Sequence, residues 1–193
     1  MDFSLLYNRI RLIFSNPTRV WEQVREEDRP IREVRTRFLL PLLILITLSS
    51  FAGTLIFTHS GLSILYPVIM AIKDFGTFFI TVELAALVVT EISIIFTPEK
   101  DLSINYKLIT YSATPYLVSM IVSRLVSSLI FLNIIGLYGF VILWIGINQL
   151  EPVGRRFKTR YFPLVLSATV ILYLVIGWIL MSVLDGLYFT IFR

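Results

Sequence analysis

The chain has 193 residues, 56% of them hydrophobic and 16% charged, with a mean hydropathy of +0.82 and a net charge of +4. Such a composition excludes a soluble globular domain of ordinary type and marks a membrane protein, with room for about five spanning helices at roughly 20 residues each. Without cysteine, the chain offers no disulfide, no thiolate catalysis and no cysteine-bound metal.

Residues 1–37 carry eight arginines: Arg9, Arg11, Arg19, Arg25, Arg29, Arg32, Arg35 and Arg37. They hold no uninterrupted apolar core and no small-residue cleavage site, so they are expected to be mature protein rather than a signal peptide. Phe3, Leu6, Tyr7, Ile10, Ile13 and Phe14 fall on one face of a helix, with Leu5 and Leu12 opposite. Asn16 followed by Pro17 is an N-cap with proline at the first helical position, opening a second short helix that bears Val20, Trp21 and Val24. A tryptophan among arginines suits an interfacial arm at the headgroup level, marked by Pro17 and Trp21. The alternative is an arm packed on the cytoplasmic ends of the bundle as a plug. Asp28, Arg29 and Pro30 end it.

Five apolar segments follow, at about 38–58, 75–97, 104–131, 134–150 and 162–184. Backbone in lipid must satisfy its own hydrogen bonds, so each is predicted helical despite its Ile, Val and Phe. The tract "SGLSILYPVIMAIKD" at 60–74 contains Pro67 and ends in Lys73 and Asp74, and is predicted to be an interfacial or re-entrant piece. His59 beside it reads as a plain interfacial residue. The expected fold class is all-α: a polytopic bundle of five transmembrane helices over 38–193 with a cytoplasmic amphipathic arm over 1–37.

Short loops rich in Lys and Arg stay in the cytoplasm. The arm, the loop "EPVGRRFKTRY" with Arg155, Arg156, Lys158 and Arg160, and the loop with Lys100 and Lys107 share one side of this arrangement, leaving Lys73 and Arg193 on the other. The N-terminus is therefore predicted cytoplasmic and the C-terminus outside. The expected location is the cell membrane, or an endomembrane in a eukaryotic source.

An ionisable side chain within a span is costly and points to function. Glu83 and Glu91 in the second span and Arg124 in the third qualify. Glu83 lies roughly 12 Å and Arg124 roughly 10 Å from the outer surface at ~1.5 Å per residue, which predicts that they pair, carboxylate on guanidinium fork. Such a pair fixes helix register or lines a substrate path. Glu91 shares its depth with Thr110, Tyr111 and Thr114 and, nearer the surface, with Asn148 and Gln149, which predicts a hydrogen-bonded or protonated carboxyl in a polar cavity open to the cytoplasm. A single certain carboxylate there, with His59 at the opposite surface, makes a poor metal site. Pro115 removes an amide donor and opposes the carbonyl of Tyr111, so a kink is predicted, with Ser112 and Thr114 placed to re-satisfy the backbone. Ser119, Ser123 and Ser127 form a small-residue face, and Gly139 and Gly146 a matching seam in the fourth span. No nucleophile–base pair, phosphate-binding glycine loop or two-histidine motif occurs, so neither enzymatic activity nor a cofactor is expected.

"NPTRVWEQV" at 16–24, followed by a basic linker and the Pro-containing "RFLLPLLIL", resembles the start of Yip1-domain proteins, in which Asn/Asp-Pro and a downstream Trp precede the membrane part. "LITYSATPYLV" at 108–118 resembles the tyrosine-small-x-Thr-Pro signature of that family's third span, and "IIGLYGFVILWIGINQL" its glycine-containing fourth. The resemblance covers nearly the whole chain in order and implies five spans with a cytoplasmic N-terminus. Eukaryotic members are linked to early secretory traffic and small GTPases of the Rab class. This chain lacks their long polar N-terminal region, which points away from a Rab partner and towards a prokaryotic-type member.

Two functions remain in play. The first is a membrane-organising or protein/lipid-interaction protein acting through its basic arm and loops, with Arg155, Arg156 and Lys158 meeting anionic lipid headgroups or a partner. Its expected partners are the bilayer and a soluble or membrane protein, a homo-oligomer included, and not nucleic acid. The second is a small transporter or ion channel with Glu91, and Glu83 with Arg124, along the route.

Overall fold

The computed structural model of the chain describes residues 3–27, 29–57, 64–96, 101–150 and 154–191. Asp28, His59, Lys100, Arg193 and the first part of the 60–74 tract lie outside the described residues. Among those described, every regular element is a helix. The arm forms α1 (Phe3–Ser15) and α2 (Pro17–Glu26); a short α3 (Ile31–Val34) passes through a π-helical turn at Arg35–Leu39 into α4 (Leu40–Phe57). Then come α5 (Leu65–Ile94), α6 (Leu102–Leu125), a 3₁₀ segment at Ser127–Leu137, α7 (Tyr138–Leu150) and α8 (Arg155–Ile191).

Four helical runs among the described residues are long and apolar enough to cross a membrane: Ile31–Phe57, Leu65–Ile94, Ser127–Leu150 and Phe157–Gly186. Residues 75–94 and most of 60–74 thus belong to one helix rather than to a span and a separate re-entrant piece. The helix survives Pro67 because a proline in the first turn forfeits an amide that has no intrahelical acceptor. It survives Lys73 and Asp74 because Asp74 is neutralised within the bundle, as described below. The third predicted span also ends earlier, at Leu125, since Val126 turns extended (φ −130°, ψ 101°) and the chain folds back through the 3₁₀ segment.

Contacts between helices fix their directions. Arg35 just before α4, Glu83 midway along α5 and Tyr106 in the second turn of α6 meet, whereas Asp74, nearer the start of α5, meets Arg124 at the other end of α6. Gly139 of α7 lies against the Ser112 carbonyl, and Gly146 against Leu108, so α7 runs antiparallel to α6. Phe96 meets Tyr161 while Gly76 meets Leu180, so α8 runs antiparallel to α5. The chain therefore crosses the bundle five times, in alternating directions, with α6 at the centre. Burial explains why α6 is less apolar than its neighbours: Tyr106, Leu108, Thr110, Tyr111, Thr114 and Leu117 are all sealed inside, where they need no lipid-facing surface. In contrast α8 has only 11% of its span window buried, and its Leu174 and Trp178 face outward.

Candidate functional site: charge pairs, a docked arm and a cavity

The sequence places Asn16 before Pro17, and the cap forms as expected, with Asn16 Oδ1 accepting from the Arg19 amide at 3.1 Å. On α1, Leu6 and Ile13 are buried while Tyr7 points away, so the apolar face is narrower than the six-residue stripe anticipated. Between them Arg9, 6% exposed, donates to Gln23 Oε1 at 3.2 Å and to Glu27 Oε1 at 2.7 Å, and lies 5.4 Å from the ring centre of Tyr111. Glu27 also takes Arg29 Nε at 3.0 Å, and the Glu27 carbonyl accepts from Lys107 Nζ at 3.3 Å. These contacts tie α1, α2 and α6 together, giving buried Arg9 a carboxylate and buried Lys107 a carbonyl acceptor.

Trp21 does not lie on the outer surface of the arm. It is fully buried, its Nε1 donates to the Ile142 carbonyl at 3.1 Å, and its ring packs edge-on to Tyr111. The absence of a side chain at Gly146 admits it, since a Cβ there would stand 2.8 Å from the indole carbons. The arm thus packs against α6 and α7 through Trp21. Phe14 reaches Tyr138 at the first turn of α7, with ring centroids 6.1 Å apart.

The predicted pair of Glu83 with Arg124 is not formed. Glu83 instead receives a two-point contact from Arg35, with Nε donating to Oε1 at 2.7 Å, and a third hydrogen bond from Tyr106 Oη at 2.9 Å. Arg124 sits on Asp74, Nη2 to Oδ1 at 3.0 Å and Nε to Oδ2 at 2.8 Å, with Lys73 Nζ at 3.6 Å. Depth reckoning failed because it took Phe75 and Phe131 as helix ends. With α5 beginning at Leu65 and α6 ending at Leu125, Arg124 lies within a residue of its helix terminus, level with Asp74. Asp74 was legible as an acidic residue in an apolar tract, and Arg35 was set aside as one of many arginines in the arm.

Nor are Glu91, Tyr111 and Thr114 gathered into one polar cavity. Glu91 is exposed, in register with Ile80, Leu84, Leu87 and Ile94 on the outward stripe of α5. Tyr111 is buried among Arg9, Trp21 and Phe38, and Thr114 donates to its own helix at the Thr110 carbonyl. Pro115 lies inside α6, which remains a single helix through it. Of the two hydroxyls expected to mend the backbone there, Ser112 makes no hydrogen bond. Ser119 and Ser123 are buried as a packing face requires, Ser123 donating to Asn133 Oδ1 at 2.9 Å, while Ser127 is exposed. Lys158 donates to the Asn148 carbonyl at 2.9 Å; Arg155 and Arg156 open α8, and their side chains lie outside the described residues.

A cavity of about 230 Å³ lies between α5, α6, α7 and α8. Its walls are mainly apolar, including Phe78, Ile109, Leu117 and Leu143, with the hydroxyls of Thr81, Ser112, Tyr116, Thr169 and Tyr173 set among them. None of the described residues that line it is charged. Among the described residues, no three His, Asp or Glu side chains are grouped as metal ligands would be.

The Yip1 domain family model matches residues 11–184, from the third turn of α1 to near the end of α8. Comparison with curated proteins returns no match. Comparison with solved structures returns none either.

Proposed function

This chain belongs to the Yip1 domain family, and we propose that it works as a membrane-organising protein whose basic end gathers anionic lipid headgroups and a protein partner. One observation carries the reading. Exposed Arg32 of α3, Arg37 of the π-helical turn and Arg160 in the first turns of α8 lie at the same end of the bundle, while at the other end Asp74 offsets one of the two charges of Lys73 and Arg124. Exposed positive charge is thus concentrated among the described residues at one end, where it attracts an anionic leaflet at about 1 kcal/mol per cation near the surface. The docked arm adds exposed Arg11, Arg19 and Arg25 to that display.

In this reading α6 is the fifth span, shielded from lipid by its neighbours, and the basic end with the N-terminus is cytoplasmic, the C-terminus outside. The membrane is then the cell membrane of a prokaryotic-type source. The transporter alternative has no support from the cavity, which Glu91 does not line.

Energy transfer from the protein's tryptophans to labelled lipids in proteoliposomes tests the proposal. Anionic phosphatidylglycerol is expected to be enriched around the protein relative to phosphatidylcholine, and the enrichment to fall in an Arg155→Glu/Arg156→Glu variant but not in Glu91→Gln. Equal transfer to both lipids in the wild type, or ion flux abolished by Glu91→Gln, overturns it.

A further inference from the structure

We propose that the cavity between α5, α6, α7 and α8 binds a long-chain amphiphile with a small neutral head, a fatty alcohol or a protonated fatty acid, seated head-inward with its chain trailing into the bilayer. The occupant's head follows from two hydroxyls. In this bundle Thr47, Thr90, Thr114 and Thr169 each donate to the carbonyl four residues back in their own helix. Thr81 and Ser112 make no such bond, although Thr81 is 6% and Ser112 8% exposed, and both line the cavity. Of the other polar groups that line the cavity, Tyr116 and Tyr173 share a hydrogen bond of 2.9 Å, and Asn133 Oδ1 accepts from Ser123, so neither bond reaches Thr81 or Ser112. A buried hydroxyl strongly favours any state in which it gains a partner. A ligand that offers one donor and one acceptor, and no net charge, answers both hydroxyls.

The occupant's chain follows from the walls and the opening. The interior contacts are hydrocarbon, so the rest of the ligand must be apolar. Leu137 and Phe140 on one side and Val170 on the other line the cavity and are also exposed, so it opens sideways between α7 and α8, onto the surface that faces lipid. Entry is therefore from the bilayer. A cavity of ~150 Å³ holds benzene, with six carbons, so about 230 Å³ admits roughly nine non-hydrogen atoms. That is a head and the first part of a chain, whose remainder extends through the gap. A diacyl phospholipid cannot bring a small neutral head to this floor.

The test is photolabelling of the full chain in proteoliposomes with hexadecanol or palmitic acid carrying a diazirine on the sixth carbon, beside phosphatidylcholine carrying the same group in one acyl chain. The alcohol or the acid is expected to label peptides containing Val82, Ala113 or Tyr116, with competition by the unlabelled compound; which of the two labels identifies the source of the head. Ala113→Phe, which fills the space, is expected to abolish this labelling while labelling by phosphatidylcholine around Leu174 and Trp178 continues. Thr81→Val and Ser112→Ala preserve shape, and each is expected to weaken competition roughly fivefold, the worth of about one net hydrogen bond. Labelling confined to the outward face of α8 overturns the proposal. So does cavity labelling by phosphatidylcholine as strong as by the alcohol and the acid, or labelling unchanged in Thr81→Val and Ser112→Ala.

Discussion

Each of the two ion pairs is a cluster of three side chains, Glu83 with Arg35 and Tyr106, and Asp74 with Arg124 and Lys73. Asp74 is 3% exposed and meets two cations, Arg124 and Lys73. Removing one partner of a buried pair costs roughly 3–5 kcal/mol. Asp74→Ala, which strands both cations, is expected to approach that range. Arg124→Ala is expected to cost less, about 1–3 kcal/mol, because Lys73 remains and because the exposed part of Arg124 is already partly solvated. A double-mutant cycle on thermal unfolding in detergent should give a coupling of roughly 0.5–3 kcal/mol for Asp74 with Arg124, and additivity within ~0.5 kcal/mol for Glu83 with Arg124. The reverse result would restore the pairing that depth alone suggested. At Glu83, Tyr106→Phe removes one of three hydrogen bonds and is expected to destabilise by about 1–3 kcal/mol, with Arg35→Ala costing more. The sequence singles out Glu83 and Arg124 as charges in apolar stretches, and both are found in ion pairs. It could not pair them, because their partners depend on where helices begin, and that is the least legible feature of an apolar run.

At the scale of elements, the arm shows how far local patterning reaches. The Asn16 cap, Pro17 and the Val20, Trp21, Val24 face are all local features, and all three stand as read. Whether Trp21 would lie on a membrane or inside a bundle depends on a glycine 125 positions away, Gly146, which opens a slot beside Leu108. No local signal couples the two. Trp21→Ala is expected to cost roughly 3–5 kcal/mol of arm docking. Trypsin should then cleave the arginine-rich arm much faster than in the wild type, while the bundle stays intact. Gly146→Leu should have the same effect with Trp21 still present, since the new side chain occupies the indole's place. If the arm of Gly146→Leu resists trypsin as well as the wild type, the slot is not what holds it. The same dependence on distant partners explains Glu91. Because α5 is apolar on nearly every side, no amphipathic pattern announces which stripe faces outward.

For the whole molecule, the question is how many of the bundle's five passes cross lipid. Four runs satisfy length and hydropathy, while α6 combines Asn105, Lys107, Thr110, Ser112 and Thr114 on a helix that its neighbours almost enclose. Hydropathy measures a helix's fitness to face lipid, which a central helix does not need. The alternating directions of the passes supply the missing criterion, because α4 and α8 both run from the basic end to the end where Asp74 binds Arg124. If α6 crosses with the others, the two ends of the chain lie on opposite sides of the bilayer. The chain has no cysteine, so single cysteines can report this without background. Ser15→Cys is exposed on the arm, and Gly186→Cys lies near the far end of α8 with open space at the Cβ position. In sealed right-side-out vesicles, a membrane-impermeant maleimide is expected to label Gly186→Cys before lysis and Ser15→Cys only after it. Labelling of both, or of neither, before lysis would mean an even number of crossings, and α6 would then be a helix buried against the membrane domain without traversing it.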